Sequence, residues 1–145
     1  MMQTVSVSGV LGGQAQLRAR PRSAQDWHEL ISRGLPVTAL DAFKRYATLS
    51  DAELAQLIGV SEKTLSRARA GQDKLDPVAS DRLYRVVRLV VLAAEVLESS
   101  EAGVHWLKRP QVGLGGEIPL AMMTTDAGSA EVEKLLLRIE HGVYS

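Results

Sequence analysis

The sequence predicts a mostly α-helical protein, an all-α fold of one small domain with a short appendage. Apolar residues recur at intervals of three and four along most of the chain, and helix-capping residues stand before several of these stretches. No convincing pair of alternating segments predicts a β-hairpin. With 145 residues, 46% of them hydrophobic, the chain is long enough to bury a core.

The first 22 residues give the weakest structural signal. Arg18, Arg20 and Arg22 alternate along a stretch that ends near Pro21. This pattern fits either a basic arm that touches DNA phosphates or a disordered tail. We therefore expect residues 1–22 to form a separate, flexible N-terminal arm.

Two helices are predicted between this arm and residue 50. Ser23 caps the first, which ends at Gly34. Leu40, Phe43 and Tyr46 share one face of the second. Both helices would present an apolar side to a common core.

The most informative stretch begins at Ser50, which forms a capping box with Glu53 at the start of a helix. Gly59 can adopt a positive φ and end that helix, and Ser61 can cap the next one. A short helix, a glycine turn and a second helix are typical of a helix-turn-helix. The alternative is a helical hairpin with a solvated polar face.

The second helix of this hairpin is predicted to read DNA. Leu65 and Ala68 point to the core, and Gly71 is expected to end the helix. The other side chains carry hydroxyl or cationic groups, which suit phosphates and base edges. The candidate DNA-binding residues are Ser61, Lys63, Thr64, Ser66, Arg67 and Arg69.

A long helix is predicted from Pro77 to Leu97, apolar nearly all round beyond Val86, and therefore buried in the core or at a dimer interface. A short helix with Trp106 and Leu107 follows, and both side chains are expected in the core. After Pro110 come a glycine-rich loop at 113–116, a brief helix at 119–123 and a turn at 126–128. Ser129 is expected to cap the last helix.

The composition argues against a secreted or membrane-spanning protein. The net charge is zero, although residues 1–97 carry 13 basic and 10 acidic side chains and residues 98–145 carry 4 and 7. The chain lacks cysteine, a signal-peptide pattern and an apolar run long enough to span a bilayer, so we expect a cytoplasmic protein without a membrane partner.

No enzyme chemistry is predicted. Gly113 to Gly116 lacks the Lys-Ser/Thr ending of a phosphate-binding loop, and His28, His105 and His141 show no metal-ligand spacing. We expect no catalytic residue, no metal site and no cofactor.

Five motifs follow one another in the last third of the chain: Trp106-Leu107-Lys108-Arg109-Pro110, Leu114-Gly115-Gly116, Ile118-Pro119-Leu120, Thr125-Asp126-Ala127-Gly128 and Leu136 to Val143. In this order they resemble the C-terminal domain of the Xre/ParS/MbcA antitoxins. In that family the domain follows an Xre-like helix-turn-helix, as it does here. The resemblance covers roughly residues 35–145.

The resemblance implies a type II antitoxin. Its partner would be a RES-fold toxin that degrades NAD or uses it for ADP-ribosyl transfer, and the C-terminal part would cover the entrance of the toxin's active site. The helix-turn-helix would bind the promoter of the antitoxin's own operon, as a homodimer within a toxin–antitoxin complex. The polar or terminal residues are the candidate toxin contacts: Lys108, Arg109, Glu117, His141, Tyr144 and Ser145.

These inferences divide the chain into an arm (1–22), a helix-turn-helix and dimerisation region (23–97) and a toxin-binding domain (98–145). Two other functions fit the same sequence. One is a transcription regulator without a toxin partner. The other is an interaction module whose hairpin no longer binds DNA, because Asp73, Asp76 and Asp81 follow it closely.

Overall fold

A computed structural model of the chain describes residues 5–142. Within this range there is no strand, and two isolated β-bridges pair Pro36 with Lys74 and Gln111 with Glu117. The predicted all-α fold is confirmed. The described α-helices are α1 (Val7–Val10), α2 (Gly13–Leu17), α3 (Ala24–Arg33), α4 (Val37–Ala47), α5 (Asp51–Ile58), α6 (Glu62–Arg67), α7 (Pro77–Val96), α8 (Ser100–Leu107), α9 (Pro119–Met122) and α10 (Asp126–Glu140).

The described residues form two compact units, residues 6–87 and residues 88–142, the second of which also includes Val5. The division falls inside α7, whereas the sequence suggested a boundary between residues 97 and 98. The first unit has its core around α4. Its largest fully buried side chains include Leu35, Leu40, Phe43, Leu54, Ile58, Leu65 and Leu83.

Residues 5–22 differ from the flexible arm suggested by the sequence. They form α1 and α2, which both lie against α4. Leu11 and Leu17 are fully buried, and the hydroxyl of Thr38 donates a hydrogen bond of 2.6 Å to the carbonyl of Gln16. The few apolar side chains of this segment are sufficient to pack it on α4, because the surface of α4 that they contact is apolar.

A backbone clasp joins the start of α4 to the segment that precedes α7. The N–H of Val37 donates to the carbonyl of Asp73 at 2.9 Å, and the N–H of Leu75 donates to the carbonyl of Leu35 at 2.8 Å. The N–H of Leu35 donates to the hydroxyl of Ser80, which is completely buried. Gly34 is required here, because its φ of 98° is positive and a Cβ would overlap the carbonyl oxygen of Leu75.

The hairpin's second helix continues further than the sequence indicated. Gly71 does not end it. A π-helical turn, Ala68–Gln72, extends α6, and Asp73 ends the extension in the left-handed conformation with φ 68°. Aspartate is among the residues that tolerate this conformation, and Arg18 forms an ion pair with Asp73, with 2.5 Å between Nη1 and Oδ2.

The long helix predicted from Pro77 is confirmed as α7. Asp76 caps it by accepting a hydrogen bond of 2.8 Å from the N–H of Ala79. Most apolar side chains in its second half are buried within the single chain: Leu89, Val90, Val91, Ala93 and Ala94. Burial of this stretch therefore does not require a dimer.

In the second unit α8 packs closely on the end of α7. A Cβ on Gly103 would lie 2.8 to 3.0 Å from backbone atoms of Ala93 and Ala94, so only glycine permits this approach. Leu107 is buried as predicted, but Trp106 is only half-buried. Its partial exposure corrects the expectation of a core position.

The last helix begins earlier than predicted. Thr125, not Ser129, caps α10 by accepting a hydrogen bond of 3.0 Å from the N–H of Gly128. The predicted turn at 126–128 is therefore the first turn of α10. Ser129 is buried and its hydroxyl faces the carbonyl of Met123 at 3.4 Å. The apolar side of α10 is buried at Val132, Leu135 and Leu136.

Replacing Gly103 with alanine should destabilise the protein by about 1–3 kcal/mol, because the added methyl group meets backbone that cannot rotate away. The control is Gly71→Ala, since Gly71 has no neighbour within 4 Å of the added Cβ and its φ is not positive. This control should leave stability unchanged or raise it by up to about 1 kcal/mol. Urea unfolding of both variants tests the close packing, which an unchanged midpoint for Gly103→Ala would contradict.

Candidate functional site

The helical hairpin of the first unit is held by the local bonds that the sequence predicted. The hydroxyl of Ser50 accepts from the N–H of Glu53 at 3.1 Å, and the Glu53 carboxylate accepts from the N–H of Ser50 at 2.9 Å. The capping box is therefore complete. Gly59 ends α5 with a φ of 71°, and Ser61 caps α6 by accepting from the N–H of Thr64 at 3.0 Å.

The turn between the two helices is packed as well as capped. Leu57, Ile58 and Leu65 are buried beside it, and the N–H of Val60 donates to the carbonyl of Ala55 at 3.0 Å. A Cβ at Gly59 would overlap the guanidinium of Arg82. The turn that leads into α6 is thus held by packing and by hydrogen bonds.

The predicted DNA-binding residues do not all face the same way. Lys63, Ser66 and Arg67 lie on the exposed face of α6, opposite the buried Leu65 and Ala68. The hydroxyls of Ser61 and Thr64 lie 2.9 Å apart at the start of the helix. Ser61 is exposed and Thr64 is half-buried, so the capping residue and the exposed face form one continuous polar surface.

Arg69 belongs to a different arrangement from the one predicted. Its Nε and Nη2 donate to Oδ1 of Asp41 at 3.2 and 2.7 Å, and its Nη1 and Nη2 donate to the two carboxylate oxygens of Asp51 at 2.9 Å each. Only 29% of its side chain is exposed. Its spacing of four from Leu65 is the sequence signal for this position near the buried side of the helix, although the residue as a whole is exposed.

The carboxylate of Asp51 lies at the centre of this cluster. Lys44 Nζ also contacts its Oδ1 at 2.9 Å. Hydrogen bonds from Arg69 and then Lys44 lower the pKa of Asp51 to about 2, and hydrogen bonds to Asp51 and then Asp41 raise the pKa of Arg69. Asp51 and Arg69 therefore both stay charged throughout the physiological pH range.

In the second unit, residues 111–117 form a loop closed by its own backbone. The N–H of Gln111 donates to the carbonyl of Glu117 at 3.0 Å, and the N–H of Gly116 donates back to the carbonyl of Gln111 at 2.9 Å. A 3₁₀ turn, Val112–Leu114, lies between them. The side chain of Val112 is 96% exposed at the tip of this loop.

The predicted toxin contacts fall into two groups. Lys108 and Arg109 follow α8 and lead into the loop, and Glu117 closes it; Arg109 and Glu117 are exposed and Lys108 is half-buried. His141 is exposed at the end of α10. Tyr144 and Ser145 lie outside the described residues. Sequence reasoning missed Val112, because exposure of a single valine has no signal in a sequence pattern.

Neither unit contains an evident metal site. No group of three or more His, Asp or Glu side chains among residues 5–142 is arranged to hold an ion. The same residues include no helix with the length and hydrophobicity needed to cross a bilayer.

Comparisons with known proteins match both units. Residues 26–88 match the antitoxin Xre-like helix-turn-helix domain, and residues 92–142 match the antitoxin Xre/MbcA/ParS C-terminal toxin-binding domain. Antitoxin Xre of Photorhabdus laumondii is 32% identical to the chain over 117 residues, which cover 80% of this chain and 79% of that protein. The chain belongs to the Xre family of antitoxins. The resemblance stated from the motifs is thereby confirmed.

Other relatives agree with this assignment. Antitoxin Xre of Yersinia enterocolitica is 30% identical to the antitoxin described here over 116 residues, 79% of this chain and 78% of the relative. A Sphingobium protein named Prs ADP-ribosylating antitoxin is 22% identical over 125 residues, 80% and 79% of the two chains. The antitoxin thus has a helix-turn-helix unit and a toxin-binding domain.

Proposed function

We propose that this antitoxin neutralises a RES-domain toxin that consumes NAD, and that its helix-turn-helix represses its own operon as a homodimer in the cytoplasm. The observation that carries the proposal is the joining, in one chain, of an exposed polar helix face at Lys63, Ser66 and Arg67 to a matched toxin-binding domain. The name of the Sphingobium relative, Prs ADP-ribosylating antitoxin, supports the NAD chemistry, because ADP-ribosylation takes its ADP-ribose from NAD.

Neutralisation would occur by occlusion. A protein that covers the substrate entrance of an enzyme needs complementary surface and no catalytic group of its own. The hydrogen-bonded loop at 111–117 is suited to this task, since a segment that is already ordered loses little conformational entropy on binding. We propose a contact surface of Val112 with the predicted residues Lys108, Arg109, Glu117, His141, Tyr144 and Ser145.

Co-expression with the toxin encoded by the neighbouring gene tests the central proposal. The toxin alone should stop growth and lower cellular NAD, and the antitoxin should restore both. Growth arrest that persists beside a folded antitoxin would refute neutralisation. Arrest without a fall in NAD would refute the proposed toxin chemistry while leaving neutralisation intact.

Val112→Asp should weaken toxin binding by at least about 1 kcal/mol, because a charge replaces an apolar contact at a desolvated interface. The side chain is almost fully exposed, so the substitution should not disturb folding. Val78→Asp is the control, since Val78 is 60% exposed in the other unit and should not affect toxin affinity. Titration calorimetry with purified toxin measures both, and equal affinities would exclude Val112 from the interface.

Arg67→Ala should weaken binding to promoter DNA by roughly 1–3 kcal/mol if Arg67 reads a base. A phosphate contact would instead give a similar loss on every sequence and a shallower salt dependence. Arg138→Ala removes the same charge from an exposed position in α10 and serves as the control. Fluorescence anisotropy at several salt concentrations distinguishes these outcomes; unchanged affinity and salt slope would place the DNA-binding surface elsewhere.

A further inference from the structure

The cluster around Arg69 joins three elements of the helix-turn-helix. Arg69 lies in the π-helical extension of α6, Asp51 is the first residue of α5, and Asp41 lies on α4. The paired contact with Asp51 matches the fork of a guanidinium to the two oxygens of a carboxylate, which fixes orientation as well as distance. One side chain therefore sets the end of α6 against both neighbouring helices.

Few buried side chains hold α6, the helix whose end Arg69 binds. The six residues of α6 include a single buried large side chain, Leu65, and Ala68 follows as a small buried residue. The Ser61 cap fixes the first turn. Without Arg69, the end of the helix that carries Arg67 would depend on these two apolar contacts and, further along the chain, on the Arg18–Asp73 pair and the bond from the N–H of Val37 to the carbonyl of Asp73.

Arg69 is also poorly placed to serve DNA directly. Four N–H···O bonds engage its guanidinium with two carboxylates. Turning it toward a phosphate would break these bonds, leaving Asp41 without the guanidinium and Asp51 with Lys44 alone, both close to a polyanion. A phosphate contact by Arg69 is therefore unfavourable, because hydrogen bonds are lost and carboxylates face the negatively charged DNA.

We propose that Arg69 is a positioning residue for DNA recognition, which holds α6 at the angle needed by Lys63, Ser66 and Arg67 and makes no contact with DNA itself. This inference rests on the proposed DNA binding. It predicts that removing a negative charge from Asp41 weakens DNA binding. Electrostatics alone predicts the opposite, because a less acidic surface attracts DNA more strongly.

The test measures binding of the full-length antitoxin to its promoter DNA at several salt concentrations. Arg69→Gln should raise Kd roughly tenfold with an unchanged slope of log K against log salt. Arg69→Lys should not restore affinity, since an ammonium cannot bridge the two carboxylates as a fork does. Asp41→Asn should raise Kd, while Asp81→Asn, an exposed carboxylate on α7, gives the effect of charge alone.

Two results with Arg69→Gln would overturn the inference: an unchanged Kd, or a salt slope reduced by about 0.9, which indicates a lost phosphate contact. Full affinity of Arg69→Lys for the promoter would also overturn it. So would tighter DNA binding by Asp41→Asn. Circular dichroism and urea unfolding of the same variants confirm that the helix-turn-helix unit is folded. If the native antitoxin itself fails to bind promoter DNA at low salt, the proposed DNA binding fails and the inference falls with it.

Discussion

The backbone clasp between residues 34–37 and 73–75 is the constraint on which the helix-turn-helix unit depends. It returns the chain, after the hairpin, to the point from which α4 started, and it does so with main-chain bonds and the buried hydroxyl of Ser80. Buried backbone groups need hydrogen-bond partners, so neither of the two segments of the clasp can be displaced alone. The positions of α4, of the extension of α6 and of the start of α7 therefore follow from a few bonds.

Local signals in the sequence were sufficient for most of the fold. The caps at Ser23, Ser50 and Ser61 and the turn at Gly59 involve residues close in the chain, and each was predicted from its neighbours. The two misplaced helix ends have local reasons too. Glycine commonly ends a helix by adopting a positive φ, and at Gly71 it does not. Thr125 precedes the first residue of α10, where its hydroxyl accepts from the N–H of Gly128, whereas Ser129 lies inside the helix.

Distant pairs explain the rest. Arg69 and Asp41 lie 28 residues apart, and Leu35 and Ser80 lie 45 apart, so no capping rule or periodicity brings them together. The inward face of α6 could have been extended from Leu65 to Arg69 by spacing alone. The spacing does not reveal that Asp41 and Asp51 are the partners of Arg69. Without that knowledge, an arginine in this position resembles a DNA contact. Packing of the N-terminal segment on α4 was missed for the same reason.

The ion pair between Arg18 and Asp73 connects the N-terminal segment to the residue that ends the extension of α6. Shortening the chain from its first residue through Arg18 would remove this pair and leave the sequence of residues 88–142 intact. Main-chain bonds to Ala68 and Val37 would then be what holds the left-handed Asp73. Under the proposed function, such a shortening would bear on DNA binding and not on the matched toxin-binding domain.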